Sequence, residues 1–152
     1  MQLSLHFSLA QLTYSEVAEK MGIDNSPAPD IVENLKRLAS ELERVQALLG
    51  APLDISSGYR CAALNAAVGG SDTSQHVRGL AADFACPGFG TPLDVARAMR
   101  QSDIDFDQCI LEYGRWVHLS FSDAPRGRVL TIYDEKDGYL AGLWDEDGNR
   151  VA

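Results

Sequence analysis

A chain of 152 residues, 45% hydrophobic and 23% charged, fits one globular domain with its own core and suggests neither disorder nor a repeat architecture. Its 22 acidic residues against 13 Lys and Arg give a formal net charge of -9. That balance argues against nucleic acid as the partner, because phosphate binding needs a basic face, and against a membrane-surface role.

Leu3, Leu5, Phe7 and Leu9 alternate with polar residues, and Ser8 is placed to cap a short helix carrying Leu12, Val17, Ala18 and Met21. Residues 22–29 hold a glycine and two prolines and read as a loop, with Asp30 as the start signal of the longest helix. There Ile31, Leu35, Leu38, Leu42, Val45 and Leu49 recur at steps of three and four, and Gly50 and Pro52 stop the run. Residues 53–56 read as a strand leading into Ser57-Gly58-Tyr59-Arg60, followed by a small-residue helix over 61–68. Arg60 stands at an element junction, where position alone makes it a surface arginine.

Residues 69–73 form a loop that delivers Ser74 and His76, and 80–85 read as a short buried strand containing Asp83. Thr91 or Asp94 opens the next helix. A weakly alternating run over 104–112, a turn candidate at Gly114 and a strongly alternating run over 116–121 predict a β-hairpin. On its second strand Trp116, His118 and Ser120 share a face. Residues 129–133 predict a further strand, and Asp137-Gly138 and Asp147-Gly148 are hairpin turn signals. The acidic run over 145–147 lacks the twelve-residue calcium-loop pattern and reads as solvated turns.

The stretch over 74–83 brings an imidazole and a carboxylate together among small residues. His76 and Asp83 are too far apart for one helical turn, so a bend at Gly79, which can take φ > 0 cheaply, must bring them together. A carboxylate inside a buried strand is costly to desolvate, and a cation on Asp83 is the economical explanation. Alone, the stretch reads equally well as a loop histidine beside a strand-end cap. His118 is the third ligand candidate. Two histidines and one carboxylate with an open fourth position make the ligand set of a catalytic zinc centre.

No apolar run reaches the ~20 residues that span a bilayer, and the first residues lack the basic and apolar regions of a secretory leader. Synthesis in the cytoplasm is expected. Cys61, Cys86 and Cys109 are odd in number and widely spaced, match neither a disulfide framework nor a zinc knuckle, and read as small, buried, reduced residues.

Taken together, the Phe7-Ser8-Leu9 lead-in, Ser57-Gly58-Tyr59-Arg60, the stretch from Ser74 to Asp83, and Trp116-Val117-His118-Leu119-Ser120 resemble the zinc D-alanyl-D-alanine carboxypeptidase family of peptidoglycan peptidases. The resemblance is especially to its short phage and prophage members, and it implies the fold shared by the Hedgehog signalling domain and the D,D-peptidases. The resemblance implies a single α+β domain, a small antiparallel sheet carrying the zinc site with helices packed on one side. It divides into a helical lead-in over 1–52, a catalytic core over 53–133 and an acidic tail over 134–152. It implies one zinc ion per chain on His76, Asp83 and His118, substrate held by Ser74, and Arg60 facing the scissile carbonyl or its oxyanion, which replaces the surface reading. Trp116 walls the cleft or fills the core.

Some relatives carry the catalytic acid three residues before the last histidine, where this chain has Arg115, which cannot accept a proton. The nearest carboxylate is Glu112 on the preceding strand. It faces the His118 side if the Gly114 turn has an odd number of residues or a bulge, and the opposite side if the turn has two. Glu112 is taken as general base, with Asp107 as runner-up. The implied activity is hydrolysis of an amide bond in peptidoglycan stem peptides by a monomer, as a D,D-carboxypeptidase or endopeptidase of the lysis type, reaching the cell wall by release or another export route. The rivals are a non-catalytic zinc-containing wall-binding module and a virion component.

Overall fold

Capping chemistry sets the first helices of the computed structural model, which describes residues 1–151. Ser8 accepts a hydrogen bond from the Gln11 amide and caps α1 (Leu9–Thr13). The expected single lead-in helix is in fact two, because Ser15 offers a second cap, accepts from the Ala18 amide and starts α2 (Glu16–Met21). Leu12 and Ala18 are buried, whereas Val17 and Met21 stay exposed. The third helix, α3 (Pro29–Leu49), buries Leu35, Leu38, Ala39, Leu42, Val45 and Leu49 along one stripe. It ends at Gly50, whose φ of 68° is the left-handed terminator expected of glycine. A short α4 (Ala62–Ala67) follows, and α5 (Pro92–Gln101) opens on a full capping box between Thr91 and Asp94.

The strands are β1 (Asp54–Ser57), β2 (Ala81–Ala85), β3 (Gln108–Glu112), β4 (Trp116–Ser120), β5 (Arg128–Ile132) and β6 (Leu140–Ala141), in the sheet order β1-β2-β4-β3-β5-β6. A separate two-stranded ladder joins β7 (Leu143–Trp144) to β8 (Arg150–Val151). By density of internal contacts the chain groups into two compact units, Met1–Arg44 with Ile55–Ala82, and Val45–Asp54 with the residues from Asp83 onward. The first holds α1, α2, α4 and a 3-10 turn over Gln75–Arg78; the second holds α5 and β3 to β8.

The sheet is mixed rather than antiparallel. β3 and β4 pair antiparallel as the expected hairpin, but β3 and β5 are parallel. Gln108 opposes Ser120 on one side and Arg128 on the other, so β4 ends beside the start of β3 and β5 begins there too. With β2 already on the other edge of β4, the short segment over 121–127 steps across the end of β3, and a strand that starts there must run parallel to it.

Register then sorts the side chains. Cys109, Leu111, Val117 and Leu119 share one face and are fully buried, with α5 packed on β3 and β4. The opposite face carries Ile110, Leu130 and Ile132 as a buried cluster with Tyr113 against it, together with Glu112, Trp116 and His118. Among the described residues no helix is long and apolar enough to cross a membrane.

Between the 3-10 turn and β2, Gly79 has a φ of 71°, and a Cβ there would lie 3.0 Å from Ile31 Cγ2 and 3.2 Å from Leu35 Cγ. A left-handed conformation costs a non-glycine residue about 1–2 kcal/mol before any crowding. Gly79→Ala is therefore expected to lower stability by about 1–3 kcal/mol; an unchanged urea midpoint would show that the bend tolerates a side chain.

All three cysteines are free thiols. Cys86 and Cys109 are buried as expected, but Cys61 is only half-buried, because it precedes α4 at its exposed N-cap position. Burial pushes the Cys109 thiol up to about 12, so it stays protonated and inert. Titration of native protein should modify Cys61 first and leave Cys109 silent, with three groups reacting after denaturation; recovery of only one group would reveal a disulfide.

Candidate metal centre

The 3-10 turn over Gln75–Arg78 is capped by Ser74, whose Oγ accepts from the His76 amide, and is closed by Gly79. This puts His76 inward at 1% exposure. Its Nδ1 lies 2.7 Å from the Gly58 carbonyl oxygen. A carbonyl only accepts, so Nδ1 carries the proton and Nε2 keeps its lone pair for a metal. Gly58 is the functional residue that sequence reasoning missed. A Cβ there would collide with the Leu12 carbonyl, so the backbone passes where only glycine fits. Its position in the Ser57-Gly58-Tyr59-Arg60 run was the available signal.

Asp83 lies in the middle of the buried strand β2, and His118 in the middle of β4, both 8% exposed. His118 turns Nδ1 to Asp83 Oδ1 at 2.9 Å. One donor atom from each of His76, Asp83 and His118 falls in a group whose members all lie within 4.8 Å of one another. Zinc bonds of about 2.0–2.2 Å hold ligand atoms roughly 3–4 Å apart, a spacing that a group of this kind suits. The donor set itself, two imidazoles and a carboxylate, fits zinc. No cysteine belongs to it.

The turn between β3 and β4 holds three residues, since Glu112 opposes Trp116. Tyr113 and Gly114 both take left-handed φ values, 57° and 65°, and the Arg115 amide closes the turn on the Glu112 carbonyl at 3.0 Å. The odd count puts Glu112 and His118 on one face, and Glu112 Oε1 lies 3.8 Å from His118 Nδ1. Asp107 is placed otherwise. It precedes β3 at the opposite end of the strand from Glu112, and its buried carboxylate accepts from Arg126 Nε at 2.9 Å, Nη2 at 2.7 Å and the amide at 3.0 Å. That pairing pushes the guanidinium pKa of Arg126 up.

Arg60 is half-buried ahead of α4. Its backbone amide donates to the His76 carbonyl at 3.1 Å, and its Nη2 donates to Ser74 Oγ at 3.4 Å. Two of the residues expected to meet substrate are thus tied to the turn that holds the first histidine. Trp116 is half-buried, with its ring 5.6 Å from that of Tyr113 at a tilt of 58°. Its indole Nε1 is buried without a hydrogen-bond partner.

A family model described as Peptidase M15 matches residues 5–120. That span includes His76, Asp83 and His118 together with Arg60, Ser74, Glu112 and Trp116, and stops at the end of β4. No curated protein matches the chain. The match covers most of the sequence and meets a buried group of the right donor chemistry: the chain belongs to the M15 family of zinc-dependent, D-Ala-D-Ala carboxypeptidase-like peptidases.

Proposed function

We propose that this chain hydrolyses an amide bond in peptidoglycan stem peptides, as a D,D-carboxypeptidase or endopeptidase of the phage lysis type, with one zinc ion per chain on His76, Asp83 and His118. The observation that carries the reading is the placement of Glu112 Oε1, 3.8 Å from a ligand histidine. A structural zinc site needs no carboxylate beyond its ligands, whereas hydrolysis needs a proton acceptor next to them. When bound, zinc supplies Lewis acidity, lowering the pKa of a water to about 7 and polarising a carbonyl.

The chain's own residues do the rest. Glu112 takes the proton of the attacking water and returns it to the leaving amine, a step typically worth about 10²–10⁴-fold. The Arg60 guanidinium faces the carbonyl oxygen as charge develops, where a charge-assisted hydrogen bond is strongest. Ser74 holds both the turn and the Arg60 side chain in place and offers its hydroxyl to the peptide. Trp116 limits water on the Glu112 side through its ring and that of Tyr113. Arg115, three residues before His118, takes no part. The chain acts as a monomer and reaches its substrate after release from the cytoplasm.

Elemental analysis of the purified protein should find one zinc per chain, and His118→Ala should remove most of it; full occupancy in that variant would take His118 off the ligand set.

Glu112→Gln keeps size and hydrogen bonding while removing the acceptor. Zinc content and melting should persist while release of peptide fragments from purified peptidoglycan, followed by mass, falls at least ~10²-fold. Asp107→Asn should instead cost stability, about 1–2 kcal/mol through the Arg126 pairing, and leave turnover near wild type. Normal hydrolysis by the Glu112 variant with a dead Asp107 variant would move the base to Asp107. A wild-type chain that binds zinc and wall fragments without cleaving them is a binding module.

A further inference from the structure

A side chain from the loop between α2 and α3 holds the main chain on both sides of Arg60. Asn25 Nδ2 donates to the Tyr59 carbonyl at 3.0 Å, and Asn25 Oδ1 accepts from the Cys61 amide at 2.8 Å. The same Nδ2 donates to the Thr13 carbonyl at 2.8 Å, one of the carbonyls that the end of α1 leaves without an intrahelical partner. Two main-chain bonds complete the clamp. Tyr59 donates its amide to the Leu12 carbonyl at 2.8 Å, and Arg60 donates its own to the His76 carbonyl at 3.1 Å.

The partners fix which way the Asn25 amide faces. Carbonyls only accept and a backbone amide only donates, so Nδ2 must face Thr13 and Tyr59 while Oδ1 faces Cys61. Aspartate has the same size but would set a carboxylate oxygen against two carbonyls. The loop presents Asn25 in a fixed way. Gly22 closes α2 at a φ of 67°, the Ile23 amide donates to the Ala18 carbonyl at 2.9 Å, and the Ser26 amide donates to Asp24 Oδ1 at 3.0 Å, a turn with Asn25 at its centre.

We propose that Asn25 is the positioning residue for Arg60: by bridging the chain immediately before and after it, Asn25 fixes the point from which the guanidinium reaches the substrate carbonyl. This deepens the hydrolytic reading above and rests on it. An arginine carries its charge several bonds from Cα, so drift of the backbone is passed on to the charged end. A donor aimed at a developing oxyanion stabilises it only when held in place beforehand. Asn25 touches neither substrate nor metal in this role and acts through Arg60 alone.

The test uses the full zinc-loaded chain and a soluble stem peptide, with kcat and KM measured well below the melting temperature of each variant. Arg60→Ala should lower kcat about 10²-fold, as loss of an oxyanion donor does. Asn25→Ala should keep its zinc and lower kcat about 10-fold with KM changed by less than about twofold. Asn25→Asp, which keeps the size and the acceptor for Cys61, should do the same. Added to Arg60→Ala, Asn25→Ala should cost less than about twofold in kcat, because the group it positions is gone. An asparagine that serves only the fold would lower kcat by one factor in both backgrounds. Equal factors overturn the proposal, as does wild-type kcat for either Asn25 variant. Asn25 variants that lose zinc or unfold below the assay temperature also overturn it, since the fold itself then needs the residue. A zinc-loaded wild type that cleaves no stem peptide sinks the hydrolytic reading, and this role with it; wild-type turnover with no coupling between Asn25 and Arg60 removes this role alone.

Discussion

A carboxylate in the middle of a buried strand is the constraint that the rest of the structure answers. Asp83 has Ala81, Ala82 and Phe84 around it, each fully buried, and an uncompensated charge there would cost several kcal/mol. The compensation comes from chain segments far apart in sequence. β4 brings the His118 ring to within 2.9 Å, and the 3-10 turn, held shut by Ser74 and Gly79, delivers His76. The His76 imidazole is oriented by a partner rather than left to rotate, its Nδ1 on the Gly58 carbonyl. Orientation of that kind raises ligand basicity and limits the reorganisation needed when a cation enters.

Much of this was legible in the sequence because it rests on local chemistry. Gly79 announced a bend, Thr91 or Asp94 announced a helix start, and the alternation over 116–121 announced which residues share a face with His118. The parts that were not legible depend on partners distant in sequence. Nothing local says that β5 runs parallel to β3; that follows from β2 occupying the other side of β4. Ser15 had the chemistry of a cap, but that the helix restarts there shows only in its side chain accepting from the Ala18 amide. Gly58 stood in the Ser57-Gly58-Tyr59-Arg60 run without a role of its own, and only the passage of the Leu12 carbonyl shows why the position must be glycine.

The position of Glu112 lay between these two cases. Sequence reduced it to the parity of one turn, and the structure resolves that parity through Tyr113. A tyrosine at a φ of 57° is uncommon, and it is held by packing, its ring lying against Ile110, Leu130 and Ile132 and beside Trp116. The cluster beneath the candidate site thus sets the length of the turn, and the turn length sets the face on which the carboxylate emerges. Core packing and site geometry are one problem here.

The same logic separates the two carboxylates near β3. Asp107 and Glu112 are five positions apart, yet their surroundings suit opposite tasks. Three donors of Arg126 converge on Asp107, which pins the segment over 121–127 that lets β5 cross to its parallel place. A proton arriving at Asp107 would have to displace an ion pair, and the crossing would loosen with it. Glu112 instead has the His118 imidazole nitrogen at 3.8 Å, beyond direct hydrogen-bond reach.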